Sequence, residues 1–297
     1  MPGSWTVGGA AALQQHAPTV AVTLTGLVSA WPDSVGEAEM AAIRVVTAEG
    51  LGLPPLRPPP TGPRSAPLPP PTREMVFAEQ LAVDVSAITA AQRAAWVALH
   101  GGVAQAAGAV DATLAAWVSE SLPRLRAALD ALFGADAWYD PAPQRTPYTR
   151  VVRDELRREV ALLDELDPVT TELVRLRVAR HHGCRVALSR RSVAALAAGT
   201  DKTTFEAVDH YRDSDLSAAQ QAALALADAI TWTPADLRAR DVDAVRRHLT
   251  PAQAVEVVLD VTACSADKVD VALGTDVPDP DDPVLFEVDE RGELRLR

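Results

Sequence analysis

The sequence has few aromatic side chains, although it is rich in other apolar residues. Aromatic residues make up 4% of the 297 residues, whereas hydrophobic residues of all kinds make up 48%. Alanine, leucine and valine must therefore fill most of the core. Alanine and leucine cost little conformational entropy in a helix and fit helix–helix interfaces. The composition therefore predicts an all-α fold class.

The sequence also lacks an excess of basic residues, and it contains two cysteines, Cys184 and Cys264. A formal net charge of −12 argues against nucleic acid or an anionic membrane as the main partner. Two cysteines are too few for the disulfide framework of a secreted domain. No leader-like segment and no run of membrane-spanning length is visible. We expect a cytoplasmic protein with no nucleic-acid and no membrane partner.

Motifs for common cofactors are missing as well. The sequence contains no glycine-rich phosphate loop, no G-x-S-x-G and no dinucleotide fingerprint. The adjacent histidines His181 and His182 would point apart on a helix and lack a third ligand at metal-binding spacing. We therefore expect no cofactor and no metal.

Composition divides the chain into five segments. Residues 1–53 are predicted to form an arm, loose over residues 1–20, with a short helix from Val35 to Glu49. Residues 54–71 hold ten prolines and predict a linker or surface strap; a docking site for a proline-recognition domain is the less favoured alternative. Residues 72–147 and 148–275 are predicted to be helical. Residues 276–297 form an acidic tail with one strand-like run, 283–288.

Helix starts are marked by local capping patterns. Two capping boxes are present, at Thr89–Gln92 and Ser217–Gln220, and the stretch Thr250–Gln253 is predicted to start a further helix. Asp167 followed by Pro168 is typical of an N-cap and a first-turn proline. Further helix starts are predicted at Asp111, Thr203 and Thr233. These signals predict helices over most of the second half of the chain.

The stretch from Glu172 to Arg191 resembles the signature of the AhpD-like/carboxymuconolactone decarboxylase family. In the redox branch of that family a Glu is followed twelve residues later by C-x-x-C, and a His lies four residues beyond the second Cys. Glu172 and Cys184 keep this spacing, whereas Ala187 stands at the second Cys position and Arg191 at the His position. The resemblance covers about residues 150–275. It implies an AhpD-like helical fold, a homo-oligomer and a small-molecule substrate, either a hydroperoxide or an organic acid.

The two halves of the chain have similar patterns. Residues 84–95 resemble residues 214–223 in character, and a predicted helix over 111–132 resembles the one over 252–273. Because alanine-rich helices look alike by composition alone, the sequence leaves open whether the chain contains two pseudo-repeats. If it does, residues 20–135 are a copy without the cysteine motif.

The residues around Cys184 favour thiol chemistry. Gly183 predicts a break that puts Cys184 in the first turn of a helix continuing to Leu196. A helix N-terminus and nearby cations, including His181 and His182, would lower the pKa of the thiol. The resemblance implies that Glu172 belongs to the proton relay that activates it. We therefore predict an AhpD-like oxidoreductase of the alkyl hydroperoxidase type, with Cys184, Glu172, His181 and His182 as catalytic residues.

A dithiol cycle needs a second sulfur to resolve the sulfenic acid. Either Cys264 or an external thiol reductant would have to supply it. Other interpretations also stay open. Cys184 could be a small buried hydrophobe, with Glu172 paired to Arg175 or Arg177. The protein would then be a non-redox decarboxylase-type lyase or an inactive scaffold. A lyase would use Glu172 and the basic residues His181, His182, Arg180, Arg190 and Arg191.

Overall fold

The computed structural model describes residues 4–56, 72–102, 106–147, 149–278 and 283–297, and most of the proline-rich segment lies outside these ranges. The fold is all-α, as predicted, with a few short strands. The helices are α1 (Gly9–His16), α2 (Pro18–Ser29), α3 (Glu37–Gly50), α4 (Arg73–Asp84), α5 (Ala90–Leu99), α6 (Ala106–Phe133), α7 (Thr149–Ala161), α8 (Pro168–His182), α9 (Arg185–Leu188), α10 (Val193–Ala197), α11 (Lys202–Glu206), α12 (Ala218–Trp232), α13 (Ala239–His248), α14 (Pro251–Ser265) and α15 (Lys268–Leu273). The strands are β1 (Ala30–Pro32), β2 (Gln144–Thr146), β3 (Arg190–Ser192), β4 (Val284–Val288) and β5 (Leu294–Leu296).

Local capping signals place several helix ends correctly. Both predicted capping boxes form, at the starts of α5 and α12, and the predicted helix start at Thr250 also forms a capping box, at the start of α14. The Asp167 carboxylate accepts hydrogen bonds from the first-turn N–H groups of α8, and Pro168 occupies the first helical position. Gly183 ends α8 in the left-handed conformation at φ 66°, where a Cβ would be strained. These predictions are confirmed because each depends on neighbouring residues alone.

Three predicted helix starts are wrong. Asp111 lies inside α6, which begins at Ala106. The cap of α11 is Asp201, whose carboxylate accepts a hydrogen bond from the N–H of Thr204, so the prediction of Thr203 was off by two residues. Thr233 follows the end of α12, and α13 begins later, at Ala239. An isolated Thr or Asp caps a helix only where the following backbone turns, and that turn depends on tertiary packing.

The prediction of a loose arm over residues 1–20 is wrong from Gly9 onward. Residues 9–29 form α1 and α2, and their apolar side chains, among them Leu13, Val20 and Leu24, belong to the main core. These helices pack on α6 and α7. Their sequence periodicity is weak because both sides of α2 carry apolar residues. Burial against neighbouring helices therefore stabilises a segment whose own pattern predicts little.

The strands form two small sheets. β1 pairs with β2 in parallel, and β3, β4 and β5 form a second sheet in which β3 and β4 are parallel. The strand-like run in the tail is confirmed as β4. By pairing with β3, it interrupts the helix that was predicted to continue from Cys184 to Leu196, so that α9 has four residues.

The long helix α6 lies between two hydrophobic clusters. Its residues Leu114 and Trp117 pack in the larger cluster with α8, α12 and α14, whereas Ala112 and Ala115 pack in the smaller one with α3 and α4. Helix α6 also contains Pro123, which cannot donate a backbone hydrogen bond to Ser119. None of the described helices is both long and apolar enough to cross a membrane.

The pseudo-repeat stays a prediction. In the first half the capped helix α5 is followed by α6, whereas in the second half α13 lies between the capped helix α12 and α14. The helix predicted to run unbroken to Gly274 is divided at residues 266–267 into α14 and α15. Any superposition of the halves must therefore accommodate an extra helix.

Candidate functional site

Glu172 is buried in α8 and bound to an arginine on the same helix. Its carboxylate oxygens accept hydrogen bonds from the Nε and Nη2 atoms of Arg175 at 2.7 and 2.8 Å. The backbone N–H of Ser192 donates a third bond, at 3.3 Å. The Glu172 side chain is 1% exposed. Glu172 therefore occupies the Arg175 pairing that the sequence left open as an alternative to the proton relay.

The chain folds back at Gly183, as predicted. The groups that reach Glu172 and its partner Arg175 are backbone groups of the returning segment, not the Cys184 thiol. Arg175 donates from Nη1 to the carbonyl of Ala187 and from Nη2 to the carbonyl of Arg190. The segment after Gly183 thus runs back along α8, with Cys184 at the turn itself. This arrangement differs from the predicted proton relay, in which the Glu172 carboxylate would activate the Cys184 thiol.

Cys184 is fully buried in the smaller hydrophobic cluster. It is the N-cap residue of the four-residue α9, not a first-turn residue of a long helix. Burial raises the pKa of its thiol to about 12, and the nearby carboxylates of Asp267 and Asp276 act in the same direction. The expected lowering of this pKa by surrounding cations is therefore wrong. Arg185, for example, is neutralised by Asp276 at 2.8 Å.

Cys264 is also a free thiol. It lies on α14, and burial raises its pKa well above the usual range, with the carboxylates of Asp260 and Asp267 adding to the effect. Both thiols are thus protonated at neutral pH, and a protonated thiol is a poor nucleophile.

The two histidines have separate roles. His181 binds the Asp228 carboxylate through Nε2 at 2.7 Å and accepts a hydrogen bond at Nδ1 from the Trp232 indole at 2.8 Å. Asp228 also accepts bonds from Arg177 and from the Tyr211 hydroxyl. This set is fully hydrogen-bonded, so His181 holds α8 against α12.

His182 lines a small cavity, and most of the other residues that line it are polar or charged. The cavity has a volume of about 10 Å³ and lies where α6 from the first half meets α8, α12, α14 and α15. Glu120, Arg124 and Lys268 line it together with His182. Within the described part of the chain, His182 Nδ1 and the hydroxyl of Ser121 are buried there without hydrogen-bond partners. A cavity of this size suits a water-sized group.

The charges at this polar cavity perturb one another. Lys268 donates to Glu120 Oε1 at 3.1 Å, and Arg124 donates to Glu120 Oε2 at 2.6 Å. Burial lowers the pKa of Lys268 to about 8, although Glu120 opposes the shift. Burial, together with the positive charges of Lys268 and Arg124, lowers the pKa of His182 well below its usual range. At neutral pH the site therefore combines a neutral imidazole with an ammonium group that releases its proton easily.

Arg124 links this site to the rest of the fold. Its guanidinium donates to the carbonyls of Ile230, Thr231 and Ala82 as well as to Glu120. It therefore connects α6 to the end of α12 and to α4. Of the residues at this site, His182 alone was predicted from the sequence to be functional. Glu120 and Arg124 are spaced as a helix ion pair, but nothing in the sequence joins them to Lys268, which lies 148 residues from Glu120.

Two carboxyl groups with raised pKa values, those of Glu256 and Asp260, lie on α14. Glu256 Oε2 accepts the N–H groups of Glu165 and Leu166, in the loop before α8, at 2.8 and 3.1 Å. Burial raises the pKa of Glu256 to about 7 and, with Glu256 nearby, raises that of Asp260 well above its usual range. No cluster of three or more metal-binding side chains occurs among the described residues.

Comparison with known proteins finds relatives whose function is not described. The chain is 38% identical over 214 residues to the proteins named Uncharacterized protein MT2376 and Uncharacterized protein Rv2313c, from two strains of Mycobacterium tuberculosis. The match covers 68% of this chain and 72% of each relative. No protein-family model matches the sequence, and no solved structure matches it.

Proposed function

The chain belongs to the family of the uncharacterized M. tuberculosis proteins MT2376 and Rv2313c, and we propose that it is a non-redox enzyme of AhpD-like type. Its reaction class is decarboxylase-type lyase chemistry on a small organic acid, at the polar cavity around His182. The observation that carries this proposal is the convergence of His182 from α8, Lys268 from α15, and Glu120 and Arg124 from α6 on one cavity.

The state of the thiols supports a non-redox reaction over the hydroperoxidase that the motif predicts. A thiol with a pKa of about 12 is almost completely protonated at neutral pH. Ala187, at the second Cys position, supplies no resolving sulfur. Glu172 is already held by Arg175. Thiol-based peroxidase chemistry would require all three features to change.

The charges of the polar cavity favour a monoanionic substrate. Arg124 and Lys268 carry two positive charges, Glu120 carries one negative charge, and His182 is neutral. A substrate carboxylate would neutralise the remaining positive charge in a buried setting, where charge interactions are strong. The four residues therefore match a small carboxylic acid in charge.

The proposed reaction is the loss of CO₂ from this acid. The acid carries a carbonyl group attached to, or conjugated with, the carbon that bears the carboxylate. The bond from that carbon to the carboxylate breaks, CO₂ leaves, and the carbonyl group takes up the electron pair as an enolate. Lys268 then donates a proton to that carbon, and the neutral His182 accepts or relays protons during resupply from solvent. A substrate-sized space has to open for this chemistry. The cavity wall at Thr231 is next to Trp232, which is 51% exposed, and we place the opening there.

A scaffold without catalytic activity is the second candidate. It is favoured by Arg124, which uses its guanidinium to join α6 to three backbone carbonyls on two other helices. In that case the cavity residues hold the two halves of the chain together.

For either function, the cysteine count and net charge support a cytoplasmic location, and the family resemblance supports a homo-oligomer.

The test is to incubate the protein with a panel of β-keto acids and γ-lactone carboxylic acids and to measure CO₂ release. We expect turnover of at least one acid by the wild type and by Cys184→Ser. His182→Gln should lower kcat by roughly 10²- to 10⁴-fold, the usual contribution of a general acid–base group. His210→Gln is the matched control, because His210 is exposed and is not among the residues that line the cavity.

Ser121→Ala is a second variant of the cavity, which keeps the test valid if His182→Gln does not fold. The Ser121 hydroxyl lines the cavity without a partner, so its removal leaves the hydrogen bonds of the fold intact. We expect this variant to unfold like the wild type and to show a raised KM. Activity that survives in His182→Gln, or that disappears in Cys184→Ser, would contradict the proposal. A protein inert toward the whole panel would favour the scaffold.

A further inference from the structure

A larger cleft lies on another side of α6, away from the polar cavity. It has a volume of about 170 Å³ and is enclosed by α1, α2, α6 and residues 137–139. Leu13, Leu24 and Leu125 form its apolar walls, and Trp138 and Tyr139 stand on the fourth side. Seven of the thirteen lining residues belong to α1 and α2, and three of these seven, Ala10, Leu13 and Gln14, lie in the part of the chain predicted to be a loose arm. This N-terminal cleft is independent of the proposed decarboxylase site.

The aromatic side of the N-terminal cleft is fixed in place. The Trp138 indole N–H donates to both carboxylate oxygens of Asp130 at 3.1 Å. The Arg126 guanidinium lies over the Trp138 ring, with its central carbon 5.3 Å from the ring centroid. The indole is thus held from two directions. A wall ordered in advance reduces the entropy that a ligand loses on binding.

The charged groups near the cleft disfavour a ligand that carries a charge. Arg126 is the charged side chain in its lining, and Asp140 neutralises it at 2.6 Å. Both side chains are 17% exposed. A charged ligand group next to this pair would therefore lose its hydration without gaining a counter-charge. An uncharged ligand has no such cost.

Two side chains of the cleft, Arg126 and Thr25, can still form a hydrogen bond with one polar substituent of a ligand. Arg126 uses Nη2 for Asp140, which leaves other N–H groups of the guanidinium as donors. The Thr25 hydroxyl donates to the carbonyl of Ala21 at 2.8 Å, so its oxygen can still accept a bond. A ligand with one hydroxyl group could therefore bond to either side chain.

From these observations we propose that the N-terminal cleft binds an uncharged monocyclic molecule that carries one hydrogen-bonding substituent. The size fits, because an apolar cavity of about 150 Å³ in another protein accommodates benzene. The ring would lie among Leu13, Leu24 and Leu125 beside the Trp138 indole, and the substituent would face Arg126 and Thr25.

The experiment compares three probes of similar size: phenol, benzene and benzoate. Binding is followed by chemical-shift changes of the Trp138 indole N–H in the full-length protein. We expect saturable binding of phenol, and at least threefold weaker binding of both benzene, which lacks the substituent, and benzoate, which is charged. Thr25→Val should weaken phenol binding roughly 2- to 10-fold, the effect of one lost hydrogen bond.

Variants that fill the cleft provide the decisive comparison. Ala21→Leu adds three carbons to a lining residue and should reduce phenol affinity at least tenfold. Val22→Leu is the matched control, since Val22 is the next residue on α2 and is 69% exposed. Thermal unfolding without probe verifies that each variant folds, and Ala10→Leu, which fills the cleft from α1, replaces Ala21→Leu if that variant does not fold. Phenol binding that is absent in the wild type, or equal in the filled variants, would overturn the proposal. Benzoate binding as tight as phenol binding would overturn the assigned ligand class.

Discussion

Arg175 binds Glu172 with two hydrogen bonds, from Nε at 2.7 Å and from Nη2 at 2.8 Å, one turn along the same helix. Arg175 Nη1 and Nη2 also donate to the carbonyls of Ala187 and Arg190. The motif that predicts a catalytic relay is thus a structural junction that attaches the returning segment to α8.

The first prediction concerns this ion pair. Arg175→Leu should destabilise the protein by about 3–5 kcal/mol, because it leaves the buried Glu172 carboxylate without a counter-charge. The free energy of unfolding in urea measures the effect. Lys202→Ala removes an ion pair whose side chains are 87% and 58% exposed, and it should change stability by less than about 0.5 kcal/mol. A loss below about 1 kcal/mol in Arg175→Leu would contradict the assigned role of the pair.

The second prediction concerns the reactivity of Cys184. Iodoacetamide at pH 8 should label it very slowly, because its thiol is buried and has a pKa of about 12. Labelling should accelerate in urea, when local opening exposes the side chain. Peptide mass spectrometry follows the rate. In the variant Val22→Cys the introduced thiol is exposed and should react rapidly in the same sample, which provides an internal control. Equal rates for the two thiols would show that Cys184 is accessible.

The third prediction concerns stability in acid. The pKa of His182 is lowered in the folded state, so the unfolded chain binds more protons as the pH falls through about 6.5. Stability contributed by the neutral imidazole is therefore present above about pH 6.5 and is lost below it. His182→Gln should remove this part of the pH dependence, whereas His210→Gln, at an exposed position, should keep it. Urea unfolding between pH 5 and pH 8 tests the difference. Parallel pH profiles for the wild type and His182→Gln would contradict it.

The fourth prediction concerns Glu256, whose contribution to stability changes with pH in the opposite direction to that of His182. Its pKa is raised to about 7 in the folded state, so between its ordinary value of 4.5 and about 7 the folded chain binds more protons. The contribution of Glu256 to wild-type stability should therefore fall across this range as the pH rises, in the opposite direction to the contribution of His182. In Glu256→Gln the amide oxygen can still accept from the backbone of Glu165 or Leu166, but the charge is absent. The stability of this variant relative to the wild type should therefore increase from pH 4.5 to pH 7, as measured by urea unfolding. A constant difference would show that Glu256 does not titrate in this range.

Much of the helical framework could be predicted from the sequence. The capping boxes at Thr89, Ser217 and Thr250 form because a side chain and a backbone N–H three residues apart meet as soon as the helix turns. Gly183 ends α8 because glycine adopts a positive φ without strain. Predictions based on single residues, such as Asp111 and Thr203, failed because the same residue types are also common inside helices and in turns.

The candidate sites depended on contacts that sequence spacing does not encode. The retained interval between Glu172 and Cys184 predicts proximity, yet the turn at Gly183 places the thiol at one end of α8 and the carboxylate near the other. No local pattern reports that Cys184 is buried in an apolar cluster, since many members of that cluster lie on helices distant in sequence, such as α3, α4 and α6.

The sequence by itself determined that the chain is helical, where many of its helices begin and end, and that the cysteine pair is incomplete. Those properties follow from composition and from interactions within a few residues. Tertiary structure alone decided that Glu120, His182 and Lys268 surround one cavity and that α1 and α2 enclose a second. It also decided the protonation state of these groups, because a pKa shift depends on burial and on charges brought close by residues distant in sequence.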